Sequence, residues 1–174
     1  MGALIAPGSP LPDFHLPDLE GRYHQLGDFA APLLILNFWS AECPWVQRCD
    51  EALLSWLEER QGQVQLICIA SNANESAELL ASVAAGRGLP VVLLDRDQAL
   101  ADLYAVQITP HYFVLDARRR LRYQGAFDDV TFRKRLSEQQ YLLEAVEALL
   151  VGASPPIDST PAYGCALVRT GSLG

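Results

Sequence analysis

Four cysteines hold most of the chemistry this chain could do: Cys43, Cys49, Cys68 and Cys165. Cys43 stands in the stretch Asn37-Phe38-Trp39-Ser40-Ala41-Glu42-Cys43-Pro44-Trp45-Val46, after an apolar run and before a helical pattern. A sulfur at a strand-to-helix turn lies near the unpaired N–H groups of the first helical turn, and these stabilise a thiolate. Such a setting can lower a thiol pKa from its reference of ~8.5 to ~7 or below. Pro44 suits the first turn because it has no N–H to lose. Cys49 shares an apolar stripe with Val46 and Leu53, and Cys68 sits between Ile67 and Ile69, so both read as core. Helix geometry opposes a Cys43–Cys49 bond, since six residues rise ~9 Å against the ~7 Å between Cα atoms that a disulfide tolerates. Cys165 lies on an extended segment after Gly152 that spans about 43 Å when drawn out, against an expected radius of gyration of ~16 Å. It can therefore reach Cys43, and is either its resolving thiol or an unreactive one. Cys43, Cys49 and a histidine lack any usual zinc spacing, so neither metal nor organic cofactor is expected.

The elements that must position these thiols follow from periodicity. Leu33–Trp39 and Val64–Ala70 are apolar runs that fit strands covered on both faces, as does 91–94. Residues 111–116 form another apolar strand, and 121–124 alternates, fitting a strand with one exposed face reached through a hairpin at 117–120. Helices are expected over 46–60, over 75–85 with Asn74 as cap, and over 97–105 with Asp97 as cap. A Ser137/Gln140 capping box should open a last helix ending at Gly152. Alternating strands and helices imply an α/β domain with a central mixed sheet. Residues 1–152 read as that domain, with an irregular lead-in over 1–13, and 153–174 as an extended C-terminal arm.

The stretch N-F-W-x-x-x-C-P at a strand end resembles the active site of thioredoxin-like redoxins, a group that includes the alkyl hydroperoxide reductase/thiol-specific antioxidant proteins and the thioredoxin-like thiol–disulfide oxidoreductases. Pro12-Asp13-Phe14-His15-Leu16 with Gly21 and 26–29 is similar to the family's opening. Ile108-Thr109-Pro110 is similar to its cis-proline, which faces the active cysteine before the next strand. Gly125-Ala126-Phe127-Asp128-Asp129 and Gly164-Cys165 resemble a branch with C-P-aromatic-V in place of C-x-x-C. The resemblance spans about 11–169 and implies a thioredoxin-like fold. It further implies that Cys43 is catalytic and that Ser40, Pro44, Trp45, Thr109, Pro110 and His111 line a substrate groove. In that groove Pro110 would leave the Thr109 backbone free to pair with a bound peptide. A protonated His111 would favour the thiolate, and Glu42 would oppose it; a satisfied surface histidine is the other reading of His111. Two departures matter. Val46 stands where a second active-site cysteine is usual. Leu36 and Thr109-Pro110 stand where peroxiredoxins carry a proline and an arginine, although Ser40 fits their hydroxyl position.

Composition excludes other classes. Thirteen basic against twenty-one acidic residues, a net charge of −8, argue against nucleic acid or an anionic membrane as partner. No apolar run reaches the ~18 residues of a membrane span. The start, Met1-Gly2-Ala3-Leu4-Ile5-Ala6, lacks a basic region followed by a long apolar one and has no Ser or Thr at position 6, so a cytoplasmic location is expected. The arginine groups at 118–120 and 133–135 read as solvated faces. Trp39 reads as core and Trp45 as an apolar platform for a partner. The expected function is a thiol-dependent oxidoreductase in which Cys43 attacks a protein disulfide, with Cys165, thioredoxin or a low-molecular-weight thiol completing the exchange. A peroxiredoxin-like peroxide reductase and a non-catalytic binding module are the alternatives.

Overall fold

The computed structural model describes residues 4–171, so residues 1–3 of the expected lead-in and 172–174 of the expected arm lie outside the described residues. In chain order the elements are β1 (Leu16–Pro17), β2 (Tyr23–His24), a 3-10 turn (Leu26–Asp28), β3 (Leu33–Trp39), α1 (Pro44–Glu58), β4 (Val64–Ala70), α2 (Ala77–Arg87), β5 (Val92–Leu94), α3 (Ala99–Leu103), β6 (Ile108–Thr109), β7 (His111–Leu115), β8 (Leu121–Gly125), α4 (Tyr141–Leu150) and β9 (Cys165–Ala166). A five-stranded mixed sheet runs in the order β5-β4-β3-β7-β8. β3, β4 and β5 are parallel, which requires the crossovers supplied by α1 and α2. β7 and β8 close the other side antiparallel.

All seven residues of β3 are buried, because strand alternation sends them into two separate cores. Leu33, Ile35 and Trp39 meet Val46, Cys49 and Leu53 of α1 and Leu142 and Val146 of α4. Leu34, Leu36 and Phe38 meet Leu11, Phe14, Leu26, Phe29 and Tyr104 on the opposite face. The N-terminal segment therefore shares the cover of this face with α3 and the residues that follow it. The resulting architecture is the α/β, thioredoxin-like one expected from the sequence. Among the described residues no helix is long and apolar enough to cross a membrane.

Several boundaries differ from expectation, each for a local reason. α2 starts after Ser76, whose hydroxyl accepts the Leu79 N–H at 3.1 Å, so Ser76 and not Asn74 is the cap. α3 is only five residues long and is entered from Gln98 in a left-handed conformation, φ 61°, instead of from Asp97. The Ser137/Gln140 box does not form: Ser137 donates to the Gln139 carbonyl, and Glu144 accepts the Gln140 N–H. The strand at 121–124 keeps only part of its expected exposed face: Arg122 stays partly exposed, whereas Gln124 is buried and its amide donates to the Ile5 carbonyl. The arm runs along its outer edge, with the Gln124 N–H donating to the Asp158 carbonyl and the Thr160 N–H to the Gln124 carbonyl. Arg119 is no solvated charge: at φ 59° it turns the hairpin and donates to the Phe29 and Ala31 carbonyls.

Candidate active site

Cys43 caps α1 with extended backbone, and its side chain makes no capping bond, so its sulfur sits beside the open N–H groups of a fifteen-residue helix with Pro44 in its first turn. Cys43 is joined by a disulfide to Cys165, 122 residues later, with 6.2 Å between the Cα atoms. The Thr109–Pro110 bond is cis. Cys43 Sγ lies 3.5 Å from the Thr109 carbonyl oxygen, within reach of the bond a reduced thiol can donate. Sequence-distant Cys43, Thr109, Pro110 and Cys165 thus meet at one end of the sheet.

The two sulfurs are not equally open. Cys43 belongs to the core at 3% exposure, whereas Cys165 is partly exposed. Buried polar anchors hold the turn before Cys43. Glu75, itself buried, accepts the Ser40 hydroxyl at 2.6 Å and the Glu42 N–H at 3.1 Å. Asp50 accepts Trp39 Nε1–H at 2.7 Å and Arg87 at 2.8 Å, and the same guanidinium donates to the Ala41 carbonyl. Burial pushes the Asp50 carboxyl up against the downward pull of those two donors. Arg48 grips Asp128 through two bonds of 2.9 and 2.8 Å, fixing α1 to the turn after β8.

Other expected groove residues are placed differently. His111 stacks on Phe113, 4.5 Å between ring centroids, and Phe113 belongs to the core on the face opposite Cys43. Burial lowers its pKa to about 4, so a protonated His111 is not the group that favours the thiolate. Strand alternation explains this: Tyr112 takes the Cys43 face, and its neighbour His111 must take the other. Ser40 gives its hydroxyl to Glu75, leaving no donated proton for a substrate at the sulfur. Glu42 is exposed, so water screens its opposition to a thiolate. Trp45 is no open platform, since Tyr163 of the arm packs edge-on against it at 5.0 Å.

The Thr109 backbone is not free for a peptide. β9 pairs with β6 antiparallel, Cys165 opposite Thr109 and Ala166 opposite Ile108, so the arm fills that edge. Gly164 lies so close that a Cβ there would collide with the Thr109 carbonyl and the Pro110 ring. Periodicity gave no sign of the residues that dock the arm: Thr160, Asn72 and Gln98 stand in ordinary polar loop stretches, outside any motif. Cys49 and Cys68 are buried and unpaired, as their apolar settings imply. Among the described residues no cluster of side chains could hold a metal ion.

A family model described as the AhpC/TSA family matches residues 7–124. Thiol-disulfide oxidoreductase ResA of Geobacillus thermodenitrificans (strain NG80-2) is 30% identical over 124 residues, 68% of either chain. ResA of Geobacillus kaustophilus (strain HTA426) is 30% identical over 118 residues, 64% of either chain. A hypothetical protein of Sinorhizobium meliloti 1021 has a solved structure that is 30% identical and superposes with a TM-score of 0.88 over 98% of both chains. The thioredoxin domain of a thiol-disulfide oxidoreductase from Bacteroides vulgatus is similar in fold, with a TM-score of 0.58 at 21% identity over 67% of this chain and 86% of its own. The family match ends before the arm, while the Sinorhizobium structure extends along it.

Proposed function

The chain belongs to the AhpC/TSA family of thioredoxin-like redoxins, and on that premise we propose that it catalyses thiol–disulfide exchange through Cys43 and Cys165. The observation that carries this reading is the Cys43–Cys165 bond at the N-terminus of α1, against cis-Pro110. In the oxidised protein an incoming thiolate meets the partly exposed Cys165 Sγ. A bond forms between that sulfur and the incoming one, the Cys43–Cys165 bond breaks, and Cys43 leaves as a thiolate onto the first turn of α1. The helix terminus lowers the basicity of the leaving sulfur, which speeds its departure. A second thiolate then attacks the incoming sulfur of the mixed disulfide, releasing Cys165 and a new external disulfide. Two electrons enter the protein and one external disulfide is made. Cys165 thus takes the place of the second active-site cysteine that Val46 removes. A thioredoxin-type or low-molecular-weight thiol fits the reductant's role, and a reducing cytoplasm fits the compartment.

The test is reduction of a low-molecular-weight disulfide by glutathione with the full chain as catalyst. Cys43→Ser and Cys165→Ser should each bring turnover to the uncatalysed background, while Cys49→Ser stays within twofold of the parent. Full turnover in both of the first two variants would remove the chemistry from this pair.

A further inference from the structure

We propose that residues 164–170 are a permanent wall of the active site, clamped by Gln98, which closes the Thr109 edge to extended peptides and confines exchange to low-molecular-weight disulfides. This rests on the exchange reading above and deepens it by naming the substrate class. An extended peptide that docks by strand addition needs the free N–H and C=O groups of a sheet edge. Here those of β6 are taken: β9 pairs along it, and the Leu167 N–H continues the pairing onto the Gln107 carbonyl at 2.9 Å. The contact of Gly164 with Thr109 and Pro110 leaves no room for a second strand between arm and site.

The arm is held on both sides of Cys165 by contacts that do not involve sulfur. Upstream, Thr160 sits on Gly125, its Oγ1 accepting the Ala126 N–H at 2.9 Å and bonded to the Tyr123 hydroxyl at 2.8 Å. Downstream, the Val168 N–H donates to Asn72 Oδ1, and the Val168 carbonyl accepts both the Ala73 N–H and Gln98 Nε2. Gln98 Oε1 accepts the Thr170 N–H and hydroxyl at 3.0 and 2.8 Å, while Nε2 also donates to the Ser71 carbonyl. Gln98 is 3% exposed, and every hydrogen-bonding site of its amide is used. Its backbone holds a left-handed conformation that a non-glycine residue adopts at a cost. A strained, buried glutamine with a fully engaged amide is a socket for residues 168–170, so breaking the disulfide leaves the strand in place. Trp45 itself, packed against Tyr163 of the arm, also borders an open cleft with Val130, Phe132 and Arg135, outside the paired Thr109 edge.

Two measurements on the full chain test this. Hydrogen exchange of the Leu167 and Val168 amides should change less than tenfold when Cys43–Cys165 is reduced; loss of protection by more than a hundredfold would mean that the disulfide holds the arm, and would overturn the proposal. Reduced protein should react with glutathione disulfide at least a hundredfold faster than with the disulfide dimer of a ten-residue peptide bearing a central cysteine. Gln98→Ala should raise the peptide rate at least tenfold, and the milder Thr170→Val should move it in the same direction. A peptide rate within tenfold of the glutathione disulfide rate in the parent protein overturns the wall. Reaction with neither disulfide removes the exchange reading, and the substrate restriction with it, while the amide measurement still decides how the arm is held.

Discussion

Cys43 and Cys49 belong to the first turns of the same helix, and solvent reaches them almost equally little, at 3% and 2% exposure. Their chemistry is nonetheless set apart. Cys43 lies outside the helix's hydrogen-bonded body, beside open N–H groups, and faces a partner delivered by the arm. Cys49 lies inside the helix among Val46 and Leu53, and burial pushes its thiol up to about 12. Cys68, in the middle of β4, is likewise pushed up by complete burial. Burial alone therefore does not separate a disulfide-bonded sulfur from a free one. Position relative to a helix end and access of a second thiol do.

The sharpest difference between the pairs should appear in stability. Cross-linking residues 122 positions apart restricts the unfolded chain, an effect of about 5 kcal/mol at this loop length. It acts on the unfolded state, so the hydrogen bonds of Thr160 and Gln98 do not substitute for it. Urea denaturation of the oxidised and reduced parent should differ by roughly that amount, and Cys165→Ser should show no such redox difference. A gap under ~1 kcal/mol between oxidised and reduced parent would mean that the cross-link does not constrain the unfolded chain as this model requires.

A smaller effect separates the helix end from the imidazole as the source of thiolate stabilisation. His111, half-buried on Phe113, has a folded-state pKa of about 4 because its surroundings desolvate the charged ring, against ~6.5 unfolded. Between those values the unfolded chain binds a proton that the folded chain refuses. The stability His111 contributes is thus complete above pH ~6.5 and is lost as pH falls towards 4, by at most about 3 kcal/mol. His111→Gln should remove that part of the acid sensitivity in denaturation curves at pH 7 and 4.5. It should leave the pH profile of exchange unmoved. A shifted profile would tie the imidazole to Cys43 despite its place on the other face.

The parts of the fold legible in the sequence were those with strong periodicity. β3 and β4 coincide with their apolar runs because both faces are covered and no polar residue blurs the ends. The turn at Cys43 was legible because proline, cysteine and the preceding tryptophan each have a local reason to be there. Helix starts were less legible: Asn74 and Ser76 are both competent caps, and tertiary packing of Leu80 and Ala84 selects the second. The seating of the arm was not legible at all. Its contacts run from Gln98 to Val168 and from Thr160 to Gly125, between residues that share no periodicity, and nothing local distinguishes a docked extended segment from a loose one. For the same reason β6 and β9, two residues each, show no strand periodicity, although the motifs at Thr109-Pro110 and Gly164-Cys165 mark the residues that close the site.

The smallest effects should come from the inert pair, and they test whether it is inert. Cys49→Ser puts a hydroxyl beside the buried Tyr112 hydroxyl, which has no other partner among the described residues, so the two can bond and the cost should stay at ~1 kcal/mol. Cys68→Ser should cost the same, ~1 kcal/mol, for a parallel reason. Cys68 stands opposite Asn37 in the parallel β3–β4 register, with strands about 4.8 Å apart. Strand alternation puts both side chains on the α1 face, where neither polar atom of the buried Asn37 amide has a hydrogen-bond partner. A serine hydroxyl at 68 can bond that amide, and it offsets part of its own desolvation. Urea denaturation of the two variants reads both costs directly. Asn37→Leu combined with Cys68→Ser should remove the offset at position 68 alone, making Cys68→Ser the costlier of the two. Both serine variants should exchange thiols at the parental rate per folded molecule. A rate loss in either would give the core thiols a share in the chemistry and erase the distinction between the two pairs.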